Sequence, residues 1–106
     1  MDIVFHGRGI AVSDRMRQRA VSGVRKQTAR LDRAVDAIIR FEEDGPTRRV
    51  EIVLHTPRHR WLVAKAEGRY FGPALTEALA RLRIQIAGMK KTVRARAARV
   101  RAVARA

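Results

Sequence analysis

The chain contains no cysteine, which excludes a disulfide scaffold, a zinc ribbon and a thiol nucleophile, and gives no sign of an oxidising compartment. Aromatic residues are scarce: three Phe, one Tyr and one Trp in 106 residues. No apolar run approaches the roughly 18 residues of a membrane span. The opening Met1-Asp2-Ile3-Val4-Phe5-His6 lacks the cationic start and long apolar core of a secretory signal, so a cytoplasmic location is expected. Acidic residues are also in short supply, with 10 Asp and Glu against 24 Lys and Arg, a formal charge of +14 and a sequence pI near 11.8. What is present is enough for a core. A hydrophobic fraction of 46% places the chain among folded domains rather than disordered segments. At this length one layer packs on another, which disfavours a deep catalytic cleft and favours binding at a surface.

The positive charge is segregated. Residues 1–12 and 34–68 each balance to zero, whereas residues 13–33 carry +5 and residues 69–106 carry +9, with Glu77 as the sole acid of the last segment. Such separation is read as an electrostatic footprint for a polyanion.

Hydrophobic periodicity divides the chain into six elements. Ile3 and Phe5 alternate with Asp2, Val4 and His6 in a short strand closed by Gly7-Arg8-Gly9. Ser13 caps a helix over about 13–30 whose inner stripe is Met16, Ala20, Val24, Gln27 and Leu31, weakened slightly by Gly23. Alternation returns over 34–44 and ends at Asp44-Gly45-Pro46. Two more strands hold Val50, Ile52 and Leu54, then Leu62, Ala64 and Ala66, joined by a tight hairpin at Thr56-Pro57-Arg58. Gly68 ends the strands. Phe71, Leu75, Ala78, Leu79, Leu82, Ile86, Met89 and Val93 then recur at threes and fours as a long amphipathic helix, with Pro73 tolerated in its first turn. The expected fold is α+β, a β-α-β-β-β-α two-layer sandwich. Its four-stranded mixed sheet has both helices on one face, like a double-stranded-RNA-binding domain. Residues 1–93 form the domain and 94–106 a basic Arg/Ala tail, either prolonging the helix or fraying from it. The uncovered face of the sheet reads as solvated and nearly neutral, with Trp61 as its oddity.

On helical wheels Arg15, Arg19, Lys26, Arg30 and Arg33 share one flank of the first helix. Arg83, Lys90, Arg94, Arg101 and Arg105 share a flank of the second, with Lys91 at its back and Arg81 on the other side. Two such helices on one sheet present a ridged cationic surface. Twenty of the 24 basic residues are arginine, whose planar fork binds phosphate bidentately and stacks on unpaired bases, so structured RNA suits it at least as well as duplex DNA. Base readout has no evident carrier, since Phe5 and Phe41 point into the expected core and only Trp61 stands on the open face.

The order of elements, together with particular residues, resembles the short form of the bacterial ribosome hibernation promoting factor and ribosome-associated inhibitor family over about residues 2–93. The residues that carry the likeness are Ile3-Val4-Phe5-His6-Gly7, the Ser13-capped helix with Met16, Arg17 and Lys26, and Ala64-Lys65-Ala66-Glu67-Gly68. On the last helix they are Leu75, Leu79, Arg81, Leu82, Gln85, Ile86 and Lys90. The resemblance implies a non-enzymatic translation inhibitor that lies on ribosomal RNA of the small subunit, alone or within the 70S ribosome, and occludes messenger and transfer RNA. It points to Arg17, Lys26, Arg81, Gln85 and Lys90 as rRNA-binding residues; the wheels add Arg15, Arg19, Arg30, Arg83, Lys91 and Arg94. The sequence departs from the family at Arg69-Tyr70-Phe71-Gly72-Pro73, where a helix cap is usual, and at Ile84, usually basic. The dimerisation domain of the long form has no counterpart in these residues, so pairing through it is not expected.

The alternative is a general RNA- or DNA-binding module without ribosome specificity. No cofactor, metal or small-molecule substrate is expected. His55 and His59 are separated by Pro57 and read as solvated hairpin residues rather than a helical metal face. Glu42, Glu43 and Asp44 run into a turn and read as a solvated strand end. The Arg/Ala tail lacks the large apolar residues of a membrane anchor.

Overall fold

A computed structural model describes residues 2–8, 12–29, 31, 36–56 and 60–105; at positions 8, 60 and 90–105 the description covers the backbone alone. The elements are β1 (Asp2–Arg8), α1 (Asp14–Thr28), β2 (Asp36–Asp44), β3 (Thr47–Thr56), β4 (Arg60–Gly68) and α2 (Phe71–Arg105). The strands lie in sequential order, β1 parallel to β2 and the rest antiparallel, as the strand-helix-strand opening and the two hairpin signals anticipate.

Local chemistry sets the boundaries. Ser13 adopts an extended backbone and its side-chain oxygen accepts from the Met16 amide at 3.2 Å, satisfying one of the unpaired amides that open α1. Asp14 in the first turn and Arg25 and Lys26 in the last complement the helix dipole. Between β2 and β3 the loop is Gly45-Pro46, with Asp44 paired to Thr47. Gly45 has φ of 58°, and the proline ring holds the second loop position near −65°, the combination of a type II′ turn whose twist matches that of the strands.

Strand alternation then sorts the side chains. Ala37, Ile39 and Phe41, Val50, Ile52 and Leu54, and Ala64 and Ala66 are buried beneath the helices. Ala20 and Val24 of α1, and Ala74, Leu75, Ala78, Leu82 and Ile86 of α2, close over them. Phe41 sits at one end of this core, stacked on Phe5 at 6.4 Å and edge-on to Phe71 at 5.5 Å.

Some boundaries differ from expectation. β1 runs through Gly7 to Arg8 instead of turning there, because both residues are held in the parallel ladder opposite Phe41 and Glu42. Thr28, not counted in the core stripe, is buried with its hydroxyl donating to the Arg25 carbonyl at 3.2 Å. The expected start of β2 at 34, the β3–β4 turn at 57–59 and Arg30 lie outside the described residues. Thr56 and Arg60 nonetheless pair across that turn. The backbone of α2 continues as helix through the Arg/Ala segment to Arg105. Among the described residues no helix is long and apolar enough to cross a membrane.

Candidate nucleic-acid interface

The two helices meet at a close approach. A Cβ placed on Gly23 would lie 2.5 Å from Leu79 Cδ1, so the hydrogen of glycine is what lets α1 seat against α2. One turn earlier, the Arg19 guanidinium crosses between the helices, donating to the Gly72 carbonyl at 3.3 Å and to the Thr76 hydroxyl. Both contacts advance along the two helices in the same sense, from 19 opposite 72 and 76 to 23 opposite 79.

These contacts identify which stripe of each helix faces the other. At 100° per residue Arg15 and Lys26 fall within about 40° of Arg19, and Arg83 falls within about 40° of Gly72, Thr76 and Leu79. Arg15, Arg19, Lys26 and Arg83 therefore flank one interhelical furrow, and all four are exposed. Arg15, Lys26 and Arg83 have no carboxylate within ion-pair distance among the described residues. The furrow is a row of uncompensated cations spaced by helical turns, a geometry suited to successive phosphates.

The remaining candidates divide. Arg17 is exposed on the β1 side of α1, its guanidinium carbon 5.9 Å from the Phe5 ring centre. Arg81 and Gln85 lie on the far flank of α2, over the edge strand β4. Arg81 donates to the Lys65 carbonyl and pairs with Glu77 at 2.6 Å; Gln85, half-buried, donates to the Val63 carbonyl at 2.7 Å. These bonds occupy outward-facing strand carbonyls and blunt the sheet edge. Their side chains thus hold the fold as well as standing on the basic surface. Arg30 lies outside the described residues, and Lys90, Lys91 and Arg94 are placed on α2 by their backbone alone. Arg25, exposed and also without an acidic neighbour among the described residues, belongs to the same surface. Wheel reasoning omitted it because it sits away from the row through Arg15, Arg19 and Lys26.

The other face of the sheet contrasts with this. There Arg40 and Lys65 share Glu51 at 3.5 and 3.6 Å, and Arg49 meets Asp44 at 3.2 Å, Glu67 at 3.0 Å and Glu42 at 3.9 Å. The hydrogen bond that Arg49 donates to the Glu67 carboxylate, reinforced by the charges of Asp44 and Glu42, raises the Arg49 pKa above its ordinary value. Among the residues whose side chains are described, this face carries six carboxylates (Asp2, Asp36, Glu42, Asp44, Glu51, Glu67) against Arg40, Arg49 and Lys65, a small acidic excess. His55 is not simply solvated: its ring lies flat on Trp61 at 4.2 Å and its Nδ1 is 3.5 Å from Asp36. One face of the Trp61 ring is thereby covered. A groove of about 610 Å³ beside β4 is lined by these charges and by Glu77 and Arg81, each already paired with its opposite.

The family model for the sigma 54 modulation protein / S30EA ribosomal protein matches residues 3–94. The chain belongs to that family. The S30EA family consists of ribosome-binding hibernation and modulation factors and not of enzymes. Among solved structures, a ribosomal subunit interface protein from Coxiella burnetii is similar with a TM-score of 0.79 at 19% identity, covering 86% of this chain and 99% of that one. The N-terminal domain of Protein Y from Thermus thermophilus is similar with a TM-score of 0.68 at 20% identity, over 80% and 91%. At these identities the likeness is one of fold. No curated protein matches the chain significantly.

Proposed function

We propose that the protein is a cytoplasmic translation inhibitor of resting or stressed cells. It binds ribosomal RNA of the small subunit through the α1–α2 layer and occupies messenger and transfer RNA positions. The observation that carries this reading is the interhelical furrow, where Arg15, Lys26 and Arg83 stand exposed, without acidic partners among the described residues, beside the α1–α2 strut of Arg19. In an S30EA-family chain, a cationic surface of that kind has ribosomal RNA as its natural counterpart. Arg17 and Arg25 widen the same layer, and Lys90, Lys91 and Arg94 extend it along the helical backbone of α2. Arg81 and Gln85 contribute at its margin, where their side chains are tied to β4.

Co-sedimentation with purified small subunits over a salt series tests the proposal. With about six to eight phosphate contacts, affinity should fall by roughly three to five orders of magnitude between about 50 and 200 mM salt. Messenger RNA and initiator transfer RNA should compete for the bound subunit. Equal affinity for small subunits and arbitrary duplex RNA or DNA would instead make the protein a general nucleic-acid binder. No binding at low salt would refute the proposal.

A further inference from the structure

The face of the sheet turned away from the helices is organised in rows, and the strand register defines them. Val4, Ile38, Val53 and Val63 are successive cross-strand partners, an apolar row traversing all four strands on the side no helix covers. Val4 is 47% exposed and Val63 41%. Two residues along the strands in one direction lies the row Asp2, Asp36, His55 and Trp61; two residues the other way lies His6, Arg40, Glu51 and Lys65. The two flanking rows are complementary position by position: Asp2 to His6, Asp36 to Arg40, His55 to Glu51, and the Trp61 ring to the Lys65 ammonium.

We propose that this face is a self-association surface on which two copies of the chain pack sheet to sheet about a two-fold axis running along the apolar row. That axis lays each strand antiparallel across its own copy. Val4, Ile38, Val53 and Val63 then meet their counterparts, and each flanking row falls on the opposite row of the second copy. Asp36 faces the second copy's Arg40, His55 its Glu51, and Trp61 its Lys65, each contact made twice. Self-complementarity about one axis is what an isologous dimer requires, and an unrelated partner would place no such demand on both rows at once. The arrangement is the aligned packing of two sheets about 10 Å apart, with a twist of about 30° between them.

Charge and area set the strength. The basic helical layers end on the outside of the pair, separated by both sheets, so their repulsion is screened at roughly 0.1 M salt, where the Debye length is about 10 Å. Four strands about 4.8 Å apart and three rows deep give roughly 400–500 Å² per copy, well below the about 800 Å² per partner of a standard interface. The dimer is therefore weak, populated at roughly 0.1–1 mM protein. The α1–α2 layer takes no part in it and stays open to RNA.

Sedimentation equilibrium from about 10 μM to 1 mM, with the emission of Trp61 followed over the same range, tests the proposal on the full chain. The wild type should show a concentration-dependent dimer with a shift in Trp61 emission. Ile38→Asp, at a half-buried position outside the core, should raise the dissociation constant at least tenfold while circular dichroism and the melting curve confirm an intact fold. Arg40→Asp should weaken the dimer at least threefold, and the double variant Asp36→Arg/Arg40→Asp, which restores opposite charges across the axis, should recover most of that loss. A wild type that remains monomeric at 1 mM overturns the proposal, as does a dimer indifferent to Ile38→Asp or a double variant no tighter than Arg40→Asp alone. A monomer whose Ile38→Asp variant loses small-subunit binding would assign the face to a ribosomal component instead, and would equally overturn it.

Discussion

The two faces of this small sandwich solve the same electrostatic problem in opposite ways. On the open face of the sheet the charges are interleaved: Arg40, Arg49 and Lys65 each lie within 4 Å of a carboxylate, and their fields cancel locally. On the helical face, the residues of α1 and α2 whose side chains are described include seven cations (Arg15, Arg17, Arg19, Arg25, Lys26, Arg81 and Arg83) against Asp14 and Glu77, and among them only Arg81 is ion-paired. Opposite charges a strand apart sit close enough to pair because the ladder fixes their register. Like charges spaced by helical turns along a furrow sum into a potential that reaches a polyanion. The lesson is that net charge is a weak guide to partner choice in this chain. Which cations are left uncompensated decides it.

That contrast can be broken directly. The largest effect is expected from reversing the furrow: Arg15→Glu, Lys26→Glu and Arg83→Glu together should lower affinity for small subunits by about two orders of magnitude or more and flatten the slope of log affinity against log salt by about 3. The matched reversal of Arg40 and Arg49 should change affinity less than about threefold. Filter binding over a salt series reads both, and equal losses from the two sets would abolish the distinction between the faces.

The next largest effect separates the apolar residues of the two sides. Leu82→Ala, in the core beneath α2, should cost about 3 kcal/mol in urea denaturation. Val63→Ala, on the exposed row, should cost less than about 1 kcal/mol, because Val63 lies outside the core with 41% of its surface already in water and loses only two methyl groups. A further variant sharpens the geometry of the furrow itself. Gly23→Leu should destabilise by about 1–3 kcal/mol through overpacking against Leu79, and by parting the helices should weaken RNA binding without removing any charge. A Gly23→Leu variant of unchanged stability would show that the helices do not depend on that contact.

Much of this was legible in the residues before any coordinates. Strand alternation assigned Phe41, Ile52 and Ala64 to the core, Ser13 announced the start of α1, and Gly45-Pro46 announced the hairpin, because each depends on conformational preferences within a few residues. The same alternation also placed Val4, Ile38, Val53 and Val63 on the open face, but four isolated apolar residues in four strands give no signal until register aligns them into one row. Gly23 read as a minor weakness in a helix; its reason lies 56 positions away at Leu79. Arg81 and Gln85 entered as rRNA-binding candidates through the family resemblance, and no local pattern shows that β4 is an edge whose carbonyls they occupy.

By itself, then, the sequence determined the elements, their order, the buried face of each and the segregation of positive charge, since periodicity and composition act over short range. Tertiary structure alone decided which cations stand free, which tie α1 to α2 or α2 to the sheet edge, and which open-face side chains become neighbours. Those outcomes rest on distances between residues far apart in the chain, and only the packed arrangement sets them.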